Sequence, residues 1–166
     1  MLSIQKIKSV SIWIFLVPFI STNTCLILIT QFQWIFPNQE HVIWNTFPYF
    51  DGGASISRVT RYYPNWLIFK PSMFLTSFLL IKYWLYNKEI IKSFKKELVK
   101  YINHKYLKIK LILVTTLITV AVISIPFITL PGNKFLKHSL EWNYFFGVIV
   151  FYLLSFLMWK KTINHK

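Results

Sequence analysis

Most of the side chains able to do chemistry fall in one stretch. Residues 36–66 hold both arginines of the chain, three of its seven prolines and two of its five acids. Within it stand Glu40, His41, Asp51, Ser55, Ser57, Arg58 and Arg61, whereas every basic residue elsewhere is lysine. Arginine used only here points to planar, two-pronged pairing, which lysine cannot supply. The partner would be the carboxylate of Asp51 or Glu40, or a lipid phosphate. Asp51-Gly52-Gly53 reads as a turn, with Ser55 and Ser57 as capping or turn hydroxyls. Two readings follow. In one, the stretch is a compact ordered cap, held by Asp51–Arg pairing and aromatic burial. In the other, Arg58, Arg61 and the Gly-Ser turn form a headgroup or ligand site, and one structure can do both. Asp51, Ser55, Ser57 and His41 include the residue types of a hydrolase, but their order and spacing match no nucleophile motif. No enzymatic role is expected.

Metal and cofactor chemistry find little to work with. Cys25 is the sole cysteine, so there is no intrachain disulfide and no cysteine cluster for zinc. His41, His104, His138 and His165 are never three or four residues apart. The sequence implies no cofactor and no metal site.

The elements that must position the 36–66 stretch are apolar. Of 166 residues, 55% are hydrophobic, 19% aromatic and only 14% charged, with a net charge of +14. A soluble domain of this size has about 25% charged residues, and a soluble nucleic-acid binder would carry its positive charge on a polar background. The composition therefore predicts an all-α, multi-pass membrane protein with no nucleic-acid partner. A membrane-crossing helix needs about 20 mostly apolar residues. Four runs qualify: 10–34, 64–86, 111–133 and 142–159. They define one polytopic domain over 1–166, a four-transmembrane-helix bundle with an ordered outer loop at 35–63. Lys6 and Lys8 ahead of the first run resemble a signal peptide, but no small-x-small cleavage site follows, so a retained span is expected.

Basic residues divide unevenly between the two sides. With four spans, fourteen lie on the side of the termini and the middle connection, and five on the other. The excess predicts cytoplasmic termini, without separating a bacterial inner membrane from an organelle membrane. In the middle connection, Ile90, Ile91, Phe94, Leu98, Tyr101 and Ile102 recur at helical spacing among lysines. That predicts a basic amphipathic cytoplasmic helix over 87–108, each lysine adding about 1 kcal/mol at an anionic leaflet.

Polar residues interrupt the spans. Pro18, Ser21, Thr22, Asn23 and Thr24 sit within the first, where Asn23 is suited to bond another span for about 0.6 to 2 kcal/mol. Thr115, Thr116, Thr119 and Ser124 in the third can bond their own backbone. Lys70, in the outer third of the second span, is placed to snorkel to the interface. No Asp or Glu lies in an apolar core, which weakens a transporter or channel reading.

From Pro48 and Tyr49 through Gly52 or Gly53, Ser55 or Ser57, to Pro64 and Phe69, the chain resembles the DRAM/Frag/Sfk-type membrane proteins. That superfamily includes damage-regulated autophagy modulators and proteins of GPI-lipid remodelling. His138 in the second outer connection, followed by Trp142, Phe145 and Phe146, extends the likeness to about Tyr152. Members have about six spans where this chain has four, and Asp51-Gly-Gly and Arg58 depart from their pattern. The resemblance implies a non-catalytic membrane protein whose partners are lipids or other membrane proteins. The alternative is a small accessory subunit of a larger membrane complex. Candidate binding residues are Asp51, Ser55, Ser57, Arg58, Arg61, Lys70 and His138.

Overall fold

A computed structural model describes residues 2–92, 99, 101–129 and 132–159. Among them the chain is helical, with no strand and one isolated bridge between Ile102 and Trp159. Four long helices, α1 (Leu2–Gln31), α4 (Asn65–Lys92), α5 (His104–Thr129) and α6 (Lys134–Met158), coincide with the four apolar runs. Two short ones, α2 (Pro48–Asp51) and α3 (Ile56–Arg61), lie in the 32–64 connection. Three of the long helices are long and apolar enough to cross a membrane, over Ile4–Gln31, His104–Pro126 and Lys134–Met158. The fourth, α4, has the length, but Lys70, Lys82 and its Tyr and Trp residues leave it less apolar.

Helix α1 is central. Ile4, Ile7 and Ile14 near its start pack with Tyr83 and Ile90 of α4 and Met158 of α6. Cys25, Leu26 and Ile29 near its end pack with Trp142 of α6, against Ile68 and Phe69 of α4. Both neighbours therefore run antiparallel to α1. They meet each other toward the far end, where the Tyr83 hydroxyl donates to Ser155 Oγ at 3.2 Å. Helix α5 packs on α6, with the Leu117 side chain close against Gly147. The result is a three-helix core, α4–α1–α6, with α5 on its flank.

Two helix limits differ from the sequence expectation. Helix α6 begins at Lys134, so residues 134–141, expected to be a connection, form its first two turns. The basic helix expected over 87–108 is divided. Asn87–Lys92 finish α4, His104 opens α5, and between them the Asn103 N–H donates to Met158 O at 2.7 Å. The segments 93–98 and 100 of that expected helix lie outside the described residues. In α5, the Thr115, Thr116, Thr119 and Ser124 hydroxyls do donate to their own helix's carbonyls.

Candidate functional site

The 32–64 connection folds into a cap over one end of the core. Phe36, Val42, Ile43, Ala54 and Val59 bury themselves with Cys25, Leu26, Ile29 and Trp142. Pro48 opens α2, where its fixed φ and missing N–H suit a first helical position. Gly52 closes it with φ +60° and ψ 21°, a left-handed conformation glycine adopts at little cost. A Cβ there would also collide with the Phe135 carbonyl of α6, so the turn sits directly on that helix.

Asp51 organises the turn from within. Its carboxylate accepts from Thr46 Oγ1 (2.8 Å), Phe47 N–H (2.7 Å) and Gly53 N–H (2.8 Å). These bonds replace the expected pairing with Arg58 or Arg61. The physical reason is proximity: two backbone N–H groups and a hydroxyl within five residues reach the carboxylate first. Slight desolvation raises the Asp51 pKa, but the bonds from Gly53, Phe47 and Thr46 outweigh it and hold the carboxyl below its ordinary value.

The first turns of α6 supply the donors that hold the cap. Trp142, fully buried, donates its indole N–H to Ala54 O at 2.8 Å. Ser139 Oγ and Asn143 Nδ2 both donate to Tyr49 O, at 3.0 and 2.7 Å. His138 Nδ1 lies 3.0 Å from Gly52 O, the one candidate residue brought against the Asp51 turn from another element. Tyr49 lies on Trp142, with ring centroids 4.9 Å apart. Burial raises the Tyr49 phenol above its ordinary pKa, and the hydroxyl donates to Asn23 Oδ1 at 3.3 Å. Asn23 thus reaches the cap, not another long helix.

A second anchor is Asn65, the fully buried first residue of α4. Its Nδ2 donates to Cys25 O at 2.8 Å and Val59 O at 2.7 Å, which joins α1, α3 and α4 at one amide. Its Oδ1, like Thr22 Oγ1, is buried without a protein partner.

The remaining candidates lie on α3 and at the start of α4. Ser55 is the N-cap of α3: its hydroxyl accepts from Arg58 N–H at 3.2 Å and lies 3.1 Å from Ser57 Oγ. Val59 and Thr60 bury one side of α3, leaving Arg58 and Arg61 exposed on the other. Lys70 is exposed with its ammonium 4.9 Å from the Trp66 ring centre. His41 stacks on Tyr62 at 3.6 Å between ring centroids. Five of the seven candidates belong to the cap, Lys70 lies on α4 and His138 on α6.

Two recesses open nearby. One, about 350 Å³, lies between α1, α2 and α6 and is lined by Phe19, Asn23, Phe47, Tyr49, Phe50, Asn143 and Phe146. The other, about 450 Å³, lies between α5 and α6 with Ile56 of α3 at its edge. Sequence reasoning missed the α6 donors Ser139, Trp142 and Asn143. The available signal was their spacing, since 138, 139, 142 and 143 share one helical face. No known protein family, curated protein or solved structure matches this chain.

Proposed function

We propose that the protein is a non-catalytic integral membrane protein that binds an anionic lipid headgroup through its cap. In this reading α1, α4, α5 and α6 cross the bilayer as a four-helix bundle with cytoplasmic termini, and the cap lies at the outer leaflet. The observation that carries it is the state of the two arginines. Arg58 and Arg61 are exposed on α3, a helix seated by Ser55, Val59 and the Asn65 amide, while Asp51 spends its carboxylate elsewhere. Two guanidinium groups on a fixed support, with no carboxylate engaged among the described residues, are suited to bidentate phosphate contact.

The test is native mass spectrometry after reconstitution with phosphatidylglycerol and phosphatidylcholine. Arg58→Ala with Arg61→Ala should lower retained phosphatidylglycerol about tenfold, the loss of a charge-assisted bond or two. Unchanged retention would leave the cap a structural device only. A second reading, an accessory subunit of a larger complex, is favoured by α5, whose Leu111, Ile112, Ile118, Val122 and Ile123 are exposed. It predicts stoichiometric co-purification with a larger membrane protein in mild detergent. Isolation as a single monodisperse species would count against it.

A further inference from the structure

The seam between α5 and α6 is largely apolar, with Lys137 and Glu141 at its cap end and the Lys110 ammonium 4.0 Å from the Phe151 ring centre at the other. Val120, Ala121, Ser124 and Ile125 of α5 face Lys137, Leu140, Glu141, Tyr144 and Phe145 of α6 across the 450 Å³ recess. That volume falls within the roughly 300–1,000 Å³ of small-molecule sites. The Ser124 hydroxyl is already committed to Ala121 O at 2.9 Å. A second recess of about 160 Å³ shares Tyr144 and continues along Leu117, Val148 and Phe151. From Lys137 to Phe151 the path covers about 21 Å at the helical rise per residue. That exceeds the roughly 15 Å of one leaflet's hydrocarbon.

The mouth carries one charge of each sign. Lys137 and Glu141 lie one turn apart on the same face of α6 and both line the recess. Among the described residues neither makes an ion pair, although an i, i+4 spacing would allow one. A cation and an anion that line the same recess one helical turn apart complement a headgroup that has both a phosphate and an ammonium.

We infer that the α5–α6 seam is a lipid site for a zwitterionic phospholipid with a primary ammonium, of the phosphatidylethanolamine type. One acyl chain lies along the Val120–Tyr144–Val148 path, the phosphate meets the Lys137 ammonium, and the lipid ammonium meets the Glu141 carboxylate. The inference rests on the proposed outer-leaflet position of the cap, but uses none of the residues assigned there to the anionic lipid.

The full-length protein, reconstituted in vesicles of equal phosphatidylethanolamine, phosphatidylcholine and phosphatidylglycerol, is read by native mass spectrometry. The wild type should retain phosphatidylethanolamine in preference to phosphatidylcholine. Glu141→Lys should lower the retained ratio of phosphatidylethanolamine to phosphatidylglycerol about tenfold, since the ammonium then meets a cation. Ala121→Phe, which fills the groove, should remove the bound phosphatidylethanolamine. An unchanged ratio in Glu141→Lys overturns the inference. Glu141 and Lys137 lie at the surface, so Glu141→Lys and Lys137→Glu decide the matter even where Ala121→Phe does not fold. Arg58→Ala with Arg61→Ala should leave phosphatidylethanolamine retention intact. If it also spares phosphatidylglycerol, the cap reading fails and the seam stands.

Discussion

Trp142 has two tasks at one buried position: its ring fills the core beneath the cap, and its N–H satisfies the Ala54 carbonyl. The two can be separated. Trp142→Phe keeps most of the ring and removes the donor, leaving a buried carbonyl unpaired at a cost of about 1–3 kcal/mol. Thermal unfolding in detergent should show a lower midpoint, while Trp66→Phe, on a partly exposed side chain, should change it little. Asp51 gives a different signature. Its folded pKa is depressed, so its contribution is fully present above the ordinary carboxylate value of 3.8 and is lost as pH falls through the lower folded value. Cap opening, read by tryptic cleavage after Arg58 or Arg61 following an acid pulse, should rise only below that pH. Asp51→Asn should cleave faster at neutral pH and lose the acid dependence. The Asp51-Gly-Gly turn is legible in the sequence because turn chemistry is local. The carboxylate's partners were not, since a distant guanidinium and a neighbouring N–H look equally available until the backbone closes.

At the level of elements, the four long helices follow apolar runs because a buried helical face needs such a run. The start of α6 is harder to read. Lys134, Lys137, His138 and Glu141 break the apolar pattern and look like a connection, yet they extend the helix by two turns. Those turns bear the donors on one face and the Lys137–Glu141 pair on another, which hydropathy cannot distinguish from a loop. The extension matters for the cap, because α2 and α6 approach with no room for a side chain at Gly52. Gly52→Ala meets a left-handed backbone that costs a non-glycine residue about 1–2 kcal/mol and a collision with Phe135 O. It should loosen α2 from α6, with faster tryptic cleavage at Arg58 and Arg61. Gly132→Ala is a useful comparison, since its φ is +95° but nothing lies within 4 Å of the added carbon. If the two variants cleave at equal rates, backbone strain alone accounts for the effect and the close approach contributes nothing.

Across the whole molecule, packing bears on the number of helices proposed to cross the membrane more directly than hydropathy does. Helix α4 is the least apolar of the four, with Lys70, Lys82, Lys88 and Lys92 along it. Yet it lies against α1 over nearly its full length, from Asn65 beside Cys25 to Ile90 in the cluster of Ile4 and Ile7. Two antiparallel helices in contact from end to end share one depth, so the proposed four-span reading pairs α4 with α1 across the bilayer. Its exposed residues agree: Phe74, Leu75, Phe78, Ile81, Trp84 and Leu85 face outward, as lipid contact requires. Lys70 lies near the start of α4 with its ammonium 4.9 Å from the Trp66 ring centre, where it can reach the interface. Lys82 lies further inside the helix, its ammonium 4.4 Å from the ring centre of Phe78. Three crossings and four crossings differ in parity, which makes the outcome binary. With four, reporters fused to the N-terminus and to the C-terminus fall on the same side, and a Ser57→Cys label enters from the opposite side. With three, the termini fall on opposite sides. On the proposed four-span reading the excess of basic residues on one side predicts cytoplasmic termini, so cytoplasmic reporters at both ends and external labelling at residue 57 are the expected result.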